Sequence, residues 1–290
     1  MTDAPLAVVV GARGLLGQSL VEELPRAGWT LAAAAGRAEC DIRDGAAVRA
    51  LIARAFGGRP GVVFNAAGLT DVEKAEGEGE EAFAVNALAV EGLARATRDA
   101  GATLLHYSTD FVFDGAQERL YEEFDAPRPL SVYGRSKHAG EVLAAAATPR
   151  LFTVRVGCLY GRGGRNFPST IARRLRAGET LRADQDRVGS PTWVRDVSRV
   201  SAALARTTDY GLYHCTAQGE TTWADFALFM AGALGVPAER VQVLPTTALS
   251  LKAARPRRAI LDNRMLRARG LDTMPAWQDG VREYLASEPG

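Results

Sequence analysis

A short apolar run near the start of the chain leads directly into three regularly spaced glycines. Leu6 to Val10 is followed at once by Gly11, Gly14 and Gly17, and an amphipathic stretch begins at residue 15. A buried strand that turns sharply into a helix needs glycine where the turn is tight and where the helix packs closely on the strand. The first amides of such a helix are unpaired and lie at the positive end of its dipole. The segment therefore predicts a dinucleotide pyrophosphate site at this strand–helix turn.

Strand-like and helix-like segments alternate from here to about residue 160. The apolar runs are short enough for strands buried on both faces, and Ala-rich amphipathic stretches separate them. This alternation is typical of right-handed βαβ units, so it predicts an α/β fold with a Rossmann-like, doubly wound parallel sheet. The predicted strands are Leu6 to Val10, Thr30 to Ala35, Val62 to Phe64, Thr103 to Tyr107 and Phe152 to Val156, and the predicted helices cover 15–27, 44–56, 80–100 and 132–147.

Beyond residue 160 the alternation becomes irregular. Helices are expected near 167–177, 193–206 and 222–234, with a strand at Leu212 to Cys215. We therefore predict two units with a soft boundary between them. Residues 1–160 form a cofactor-binding domain that carries the catalytic residues, and residues 161–290 form a smaller, partly interleaved α/β lobe that binds the substrate.

The charge balance of the chain argues against some classes of partner. Its 290 residues include 35 basic and 34 acidic side chains, a formal net charge of +1. Binders of nucleic acid or anionic membranes carry excess basic residues, so neither partner is expected.

No basic region precedes the first apolar run, and no apolar stretch approaches the roughly 20 residues of a bilayer span, so we expect a cytoplasmic protein. Cys40, Cys158 and Cys215 are too scattered to predict a disulfide framework or a metal site.

Arginine stands where an acid that binds ribose is usual. About 20 residues past the glycines, an Asp or Glu would hold the ribose 2′-hydroxyl of NAD, but this chain has Gly36-Arg37. Arg37, together with Arg13 in the glycine turn, suits a 2′-phosphate, so NADPH is favoured and NADH stays open. Asp41 is placed either to lie near the adenine or to cap the helix that begins near Arg43.

Two further strand ends carry small or hydroxyl-bearing residues. The strand ending at Phe64 is followed by Asn65-Ala66-Ala67-Gly68, where backbone can run close to a ligand. The next strand leads into Ser108-Thr109-Asp110, a tripeptide that is also typical of a turn or a helix cap. At the carboxyl end of a central strand, the Thr109 hydroxyl is placed to touch a substrate carbonyl.

Tyr133 and Lys137 are separated by one helical turn. Side chains at i and i+4 share a helix face, so the phenol and the ammonium project together. Such a pair delivers a proton to a carbonyl oxygen while a hydride reaches its carbon, since a neighbouring cation stabilises the phenolate of a tyrosine. Lysine is scarce, because only Lys74, Lys137 and Lys252 stand among the 35 basic residues. A lysine at position 137 therefore favours a chemical role over that of a solvated neighbour of a core tyrosine.

Several longer stretches form a pattern together with the glycine turn. They are 65–76, 108–115, 132–141, Asp184-Gln185, Gly189-Ser-Pro-Thr192, Gly211-Leu-Tyr-His214, Thr221-Thr-Trp-Ala-Asp-Phe226 and Pro275-Ala-Trp277. Over nearly the whole chain these motifs resemble the extended short-chain dehydrogenase/reductases, and most closely the dTDP-4-dehydrorhamnose reductase family.

The resemblance implies a reaction and a role for each catalytic residue. A hydride from NADPH would reduce the 4-keto group of a dTDP-4-keto-6-deoxyhexose, for example dTDP-4-dehydrorhamnose to dTDP-L-rhamnose. Tyr133 would donate the proton, Lys137 would orient the nicotinamide ribose and lower the pKa of Tyr133, and Thr109 would bond the carbonyl. Asn86 would buttress the catalytic region. The partners expected are a dTDP-sugar substrate and a second copy of the chain in a homodimer.

The full set of expected site residues follows from the motifs and the resemblance together, and it includes no metal ligand. The residues expected to bind the cofactor are Gly11, Arg13, Gly14, Leu15, Leu16, Gly17, Arg37, Asp41, Ile42, Ala66, Ala67, Gly68, Tyr133 and Lys137. The residues expected to bind the substrate are Thr109, Asp110, Val72, Cys158, Asn166 and Arg255.

Some positions depart from the family pattern. Cys158 stands where a tryptophan commonly packs on the sugar, Phe111 replaces a tyrosine, and Leu69 stands where an aromatic residue or histidine is common. Arg255 is placed either to hold a diphosphate or to lie in a solvated basic turn. Two alternatives therefore stay open: a ketoreductase for another nucleotide-activated deoxysugar in secondary metabolism, and a non-catalytic dinucleotide-binding regulatory subunit like that of methionine adenosyltransferase. The intact Thr109, Tyr133 and Lys137 favour an enzyme.

Overall fold

The five strands predicted in the first part of the chain lie side by side in one parallel sheet. The computed structural model describes residues 4–162, 166–248 and 252–287. The strands are β1 (Leu6–Val10), β2 (Thr30–Ala35), β3 (Gly61–Asn65), β4 (Thr103–Thr109) and β5 (Leu151–Val156). They pair in the order β2-β1-β3-β4-β5. The order reverses between β1 and β3, where the ligand crevice of a doubly wound sheet lies, so the predicted fold class is confirmed.

Helices cover both faces of this sheet. Alternate residues of β1 enter opposite cores, Ala7 and Val9 on one side and Val8 and Val10 on the other. All of β1 is buried, which explains why its sequence is uniformly apolar rather than alternating. The helices of this part are α1 (Leu15–Arg26), α2 (Gly45–Phe56), α3 (Val72–Gly77), α4 (Gly79–Phe83), α5 (Ala89–Asp99) and α6 (Val132–Ala147).

The helix predicted over 80–100 contains an irregular turn. α4 passes into a π-helical turn over Ala84–Leu88 before α5 begins. Such single π turns are frequent at functional sites. Here the turn contains Asn86, which is fully buried. The short α3 was not predicted, and Asp71 begins it by accepting a hydrogen bond from the Lys74 amide at 3.0 Å.

The second part of the chain consists of shorter elements. They are β6 (Leu159–Tyr160), α7 (Phe167–Arg176), β7 (Leu181–Asp184), β8 (Val188–Gly189), β9 (Thr192–Trp193), α8 (Val194–Leu204), β10 (Gly211–His214), β11 (Thr221–Thr222), α9 (Trp223–Ala233), β12 (Val241–Leu244), α10 (Arg264–Ala268) and α11 (Trp277–Ser287). Two-stranded sheets join β6 with β9, β7 with β12, and β8 with β11. Within the described ranges, no helix combines the length and apolar character that a bilayer span requires.

Two elements of the second part return to the central sheet. β10 pairs in parallel with β5 and forms a sixth strand at the edge. α8 packs on α1, where Ser198 Oγ donates to Ser19 Oγ at 2.9 Å. Close by, Trp29 Nε1 donates to the Ala202 carbonyl at 3.2 Å. The core therefore continues across residue 160, and the division into two units at that residue stays a prediction.

Candidate active site

The glycine turn after β1 has no room for a side chain at two positions. Gly11 has a φ of +77°, and a Cβ there would come within 2.4 Å of the Ala67 backbone nitrogen. A Cβ at Gly17 would meet the Gly11 carbonyl oxygen at 2.1 Å, so α1 packs directly on the turn. Gly14 is the N-cap of α1 and supplies no capping side chain. The first turn of α1 therefore keeps its amide donors for an anion at the positive end of the helix dipole.

A cleft opens where the chain leaves β1, β3 and β4. It consists of two adjoining cavities of about 430 and 450 Å³, which share Gly14, Ala66, Ala67 and Gly68 in their walls. The expected site residues that line the first cavity are Gly11, Arg13, Gly14, Arg37, Asp41, Ile42, Ala66, Ala67 and Gly68. Those that line the second are Leu15, Leu16, Val72, Thr109, Asp110, Tyr133, Lys137, Cys158 and Asn166. The fold thus brings residues from both parts of the chain to one cleft.

Two expected residues line neither cavity. Gly17 lies behind the turn, where its role is the close packing of helix on strand. Arg255 forms an ion pair with Glu73 of α3 at 2.6 Å and donates to the Ala253 carbonyl at 3.1 Å. With its guanidinium bonded in this way, Arg255 is not in a solvated turn, and its contact with a diphosphate stays a prediction.

Tyr133 enters the second cavity from the first turn of α6. The helix begins there because Ser131 caps it, with the Ser131 hydroxyl accepting from the Gly134 amide at 3.1 Å. The Tyr133 ring meets Phe111 edge-on, with 5.5 Å between the ring centroids. Burial raises the pKa of Tyr133 to about 12 and the charge of Asp110 adds to that rise, while the hydrogen bond with Thr109 opposes it. The phenol is therefore protonated at neutral pH, the form that donates a proton.

Lys137 lies one turn further along α6 and is almost fully buried. Its ammonium donates to the Tyr107 carbonyl at 2.6 Å and faces Gly68, where an added Cβ would lie 4.0 Å from Nζ. Burial lowers the pKa of Lys137 to about 8, and the charge of Glu141 opposes that shift. The expected lowering of the Tyr133 pKa by Lys137 is not found: burial raises this pKa, and the group that lowers it is Thr109.

Thr109 and Asp110 form a hydrogen-bonded pair at the end of β4. Thr109 Oγ1 donates to Asp110 Oδ1 at 2.9 Å and accepts from the Phe111 amide at 3.2 Å. The second bond caps a short 3₁₀ helix over Asp110–Val112, so the residue is both a cap and part of the cleft wall. Burial raises the pKa of Asp110 to about 7. Gly157 leaves the space that this carboxyl occupies, since a Cβ there would lie 2.8 Å from Asp110 Oδ2.

Asn86 connects the cleft to the catalytic helix. Its side-chain amide exchanges two hydrogen bonds with the backbone of Leu69, at 2.8 and 2.9 Å, and donates to Ser136 Oγ at 3.0 Å. Ser136 in turn donates to the Tyr133 carbonyl at 2.8 Å. Sequence reasoning missed Ser136, although its place between Tyr133 and Lys137 on the helix was an available signal.

Glu141 and Arg155 form a buried ion pair behind the catalytic residues. Two hydrogen bonds of 2.9 and 2.8 Å join the guanidinium on β5 to the carboxylate on α6. Burial raises the pKa of Glu141, but the bonds from Arg155 and His138 outweigh it and bring the pKa down to about 2. The sequence signal for Glu141 was its spacing of one turn from Lys137, whereas its partner on a distant strand gave none.

Glu39 is a second residue that sequence reasoning missed. Its carboxylate accepts from the Gly36 amide at 2.9 Å through one oxygen and from Arg13 Nη2 at 2.9 Å through the other. Both partners line the first cavity. The signal was available three residues past Gly36, where an acidic side chain can fold back over the end of β2.

Asp41 lies in the wall of the first cavity and does not cap α2. Asp44 is the cap, accepting from the Ala46 and Ala47 amides, so the capping interpretation of Asp41 was wrong. Asp41 instead pairs with Arg43 at 2.5 Å and with Arg37 at 3.5 Å. The pKa of Asp41 is well below its usual range because the Arg43 side chain and amide hydrogen-bond to its carboxylate. Across the described stretches, no group of three or more His, Cys, Asp or Glu side chains is arranged to hold a metal ion.

Comparison with known proteins assigns the chain to a family. The family model described as the RmlD substrate binding domain matches residues 7–288. A curated relative, dTDP-4-dehydrorhamnose reductase of Streptomyces griseus, is 40% identical over 96% of this chain and 92% of its own length. The chain belongs to the dTDP-4-dehydrorhamnose reductase family.

Two further proteins of known name illustrate the range of this reductase family. The dTDP-4-keto-6-deoxy-D-glucose reductase of Streptomyces niveus is 36% identical over 98% of this chain and 96% of its own length. The crystal structure of a dTDP-4-dehydrorhamnose reductase from Bacillus anthracis in complex with NADP matches with a TM-score of 0.93 and 31% identity, over 98% of this chain and all of that one (100%).

Cys158 lines the second cavity with an unusual backbone conformation. Its φ of +50° is the only positive value among the non-glycine residues that the structure describes. Gly189 leaves space for its sulfur, since a Cβ there would lie 2.7 Å from Cys158 Sγ. Phe167 lines the same cavity, is 43% exposed and meets Trp223 edge-on at 4.7 Å. An aromatic ring is therefore present on this wall although position 158 has none, and sequence reasoning missed it.

Proposed function

We propose that this chain uses NADPH to reduce the 4-keto group of a dTDP-4-keto-6-deoxyhexose. The observation that carries the proposal is the position of Thr109, Tyr133 and Lys137. All three line the second cavity, which adjoins the first cavity at the glycine turn. The names of the relatives from Streptomyces griseus and Streptomyces niveus support the substrate class. The NADP in the Bacillus anthracis structure supports the cofactor.

The residues present fit a nicotinamide dinucleotide. The absence of side chains at Gly11 and Gly14 leaves the first-turn amides of α1 free to hold a pyrophosphate. Arg13 and Arg37 line the cavity on the β2 side, where the adenosine end would lie. Lys137 faces Gly68 in the wall that the two cavities share, a position suited to the nicotinamide ribose. When bound, the cofactor supplies a hydride to the carbonyl carbon of the sugar.

The protein's own part in the reaction is to supply a proton and to stabilise charge. Tyr133 transfers its phenolic proton to the carbonyl oxygen as negative charge develops there, so that the ketone becomes an alcohol. Lys137 keeps a positive charge next to the site and stabilises the phenolate left on Tyr133. The Thr109 hydroxyl, which donates to Asp110 in this structure, turns to the carbonyl when the sugar fills the cavity.

A substrate panel tests the proposal. We expect NADPH absorbance to fall when the protein is mixed with dTDP-4-keto-6-deoxysugars generated in situ, and we expect one sugar to be preferred. If no sugar is reduced while the dinucleotide still binds, the enzyme interpretation fails and a regulatory dinucleotide-binding subunit is favoured.

A second candidate substrate is a deoxysugar other than the rhamnose precursor. Cys158 in place of a tryptophan motivates it, because Phe167 is then the aromatic residue that the second part of the chain contributes to the second cavity. The test compares two substrates, dTDP-4-dehydrorhamnose (the L-lyxo 4-keto sugar) and dTDP-4-keto-6-deoxy-D-glucose (the D-xylo 4-keto sugar). The value of kcat/KM for each is measured in the native chain and in Cys158→Trp. A shift of preference towards the L-lyxo sugar in the variant supports this candidate, and equal preference in both proteins contradicts it.

We also propose that the protein acts in the cytoplasm without nucleic acid and as a homodimer. The near-neutral composition, without an excess of basic residues, supports the absence of a nucleic-acid partner. Light scattering of the purified protein measures the oligomeric state, and a monomeric mass would overturn the dimer.

A further inference from the structure

We infer that Glu39 sets the choice between NADPH and NADH by opposing a 2′-phosphate at the end of β2. The inference rests on the proposed dinucleotide site and names the side chain that tunes its cofactor preference. It differs from the simple expectation that Arg13 and Arg37 make this end of the cleft a phosphate cradle.

The geometry places a carboxylate on two donors that a phosphate would use. Glu39 Oε2 accepts from the Gly36 amide and Oε1 accepts from Arg13 Nη2, each at 2.9 Å. Gly36 follows directly on β2, and both Gly36 and Arg13 line the first cavity. The packing is close, since a Cβ on Gly36 would lie 2.4 Å from Arg13 Cγ and 2.9 Å from Glu39 Oε2. Glu39 therefore occupies the position between the strand end and the arginine.

The chemistry at this position distinguishes the two cofactors. In doubly wound folds, an acidic side chain past β2 accepts the ribose 2′-hydroxyl of NAD, and an arginine accommodates the 2′-phosphate of NADP. This chain has both groups at one place, already bonded to each other. A 2′-hydroxyl can donate to the Glu39 carboxylate, whereas a 2′-phosphate must displace it from Arg13 and lie beside a like charge.

The other charges at this end of the cleft do not substitute for Glu39. Arg37 lies 3.5 Å from Asp41 and 3.8 Å from Glu81. Arg43 contacts the same two carboxylates, at 2.5 and 3.0 Å. Loss of Asp41 or Glu81 would leave the other acid to hold both arginines. Arg13 has a single carboxylate partner among the ion pairs of the described residues, so Glu39 alone controls its availability.

The Glu39 carboxylate is also charged under working conditions. The hydrogen bond from Arg13 and backbone hydrogen bonds lower its pKa below the ordinary glutamate value. Its side chain is 46% exposed, so a substitution here does not disturb the core. Gln at this position keeps an oxygen for the Gly36 amide and removes the charge that holds Arg13.

The experiment compares cofactor binding by Glu39→Gln and by the native chain without any sugar present. Isothermal titration calorimetry gives the dissociation constants for NADPH and NADH. We expect NADPH to bind about tenfold more tightly to the variant, the order expected for removing one carboxylate beside a phosphate in water, and NADH to bind no more tightly than to the native chain. The gain should shrink as salt is added, because exposed charges are screened.

Glu179→Gln is the matched control. Glu179 forms a similarly exposed pair with Arg174 at 2.6 Å and lines neither cavity. An unchanged NADPH to NADH ratio in Glu39→Gln, or an equal rise in Glu179→Gln, would overturn the inference and leave the dinucleotide site intact. Failure of every protein to bind either dinucleotide would overturn the proposed site and the inference with it.

Discussion

Tyr133 and Lys137 have pKa values moved in opposite directions by the same cause. Burial raises the pKa of the phenol to about 12 and lowers the pKa of the ammonium to about 8, because a low-dielectric surrounding favours the neutral form of each group. The two shifts suit reduction of a ketone. The phenol remains a proton donor throughout the neutral range, while the cation that stabilises its phenolate is close to losing its proton.

Replacement of Tyr133 by Phe should nearly abolish turnover. The variant keeps the ring that packs on Phe111 and loses the proton donor, so we expect kcat to fall by about two to four powers of ten. The dissociation constant for NADPH should stay within about twofold of the native value. Tyr210→Phe is the control, since its hydroxyl lies 3.4 Å from Thr103 Oγ1 outside both cavities. Activity near the native level in Tyr133→Phe would contradict the assigned role.

The rate of reduction should fall as the pH rises through about 8. Lys137 is charged below its lowered pKa and neutral above it, so its stabilisation of the phenolate is lost on the alkaline side. The charge of Glu141 favours the protonated form of Lys137. His106 on β4 stays neutral, because burial and, to a smaller extent, the charge of Lys137 lower its pKa. A profile of kcat/KM against pH measures this. Lys137→Arg, whose guanidinium stays charged, should be less active and should not show the decline. A decline at the same pH in that variant would contradict the assignment.

Glu39 illustrates what residue-by-residue reasoning could not predict. Counting about 20 residues from the glycine turn leads to Gly36-Arg37, and that count alone favours NADPH. The acid that matters lies in the following turn, and its contact with Arg13 depends on how that turn folds back. Tyr133, Lys137 and Thr109 were predictable because helix periodicity and strand ends fix their positions locally.

At the scale of elements, α6 is fixed at successive turns by different parts of the fold. Ser131 caps it, Ser136 is bonded to Asn86 of the π-helical turn, and Glu141 is paired with Arg155 of β5. Gly140 allows the π-helical turn to approach, since a Cβ there would lie 2.1 Å from the Asn86 carbonyl oxygen. The orientation of the catalytic residues therefore depends on the whole helix.

Replacement of Glu141 by Gln should destabilise the protein by about 3–5 kcal/mol, because it leaves the Arg155 guanidinium buried without a counterion. Urea denaturation measures the change in the free energy of unfolding. Glu91→Gln removes an exposed pair with Arg95 and should cost about 0–1 kcal/mol. The Glu141 carboxylate has a lowered pKa, so its contribution is complete above its ordinary value of 4.5 and is lost as the pH falls towards 2. Equal stability of both variants would contradict the role of the pair.

Most regular elements were predictable, and the irregular ones were not. β1 and β2 begin and end where the apolar runs do, and α6 covers the predicted 132–147. The π-helical turn has no periodicity that separates it from the helices around it, so a continuous helix was the natural expectation. The Glu141–Arg155 pair joins two elements through tertiary packing, which the spacing along one helix cannot reveal.

At the scale of the whole molecule, the two parts of the chain share one core. Leu20, Leu24 and Trp29 are buried in the same cluster as Val197 and Val200 of α8. β10 covers the edge of β5 that would otherwise be exposed. A chain that ended at residue 160 would therefore expose one face and one edge of its sheet.

Residues 1–160 expressed alone should not unfold cooperatively. Removal of α8 and β10 exposes apolar side chains that the full chain buries, and an unpaired strand edge promotes association. We expect the fragment to bind a hydrophobic dye and to lack the sharp thermal transition of the full chain, as measured by dye fluorescence and calorimetry. A sharp transition without dye binding would show instead that residues 1–160 form an independent domain.

The burial of Lys137 gives its side-chain amine an unusual reactivity. Only three side-chain amines are present, and Lys74 and Lys252 are exposed, although Lys74 also lines the first cavity and lies 3.4 Å from Glu78. An amine with a pKa near 8 is far more often unprotonated at pH 8 than an ordinary lysine, and so it is the more nucleophilic. A reagent small enough to enter the second cavity should therefore acylate Lys137, and bound dinucleotide should block that modification. Peptide mass spectrometry could then report occupancy of the cleft without any turnover.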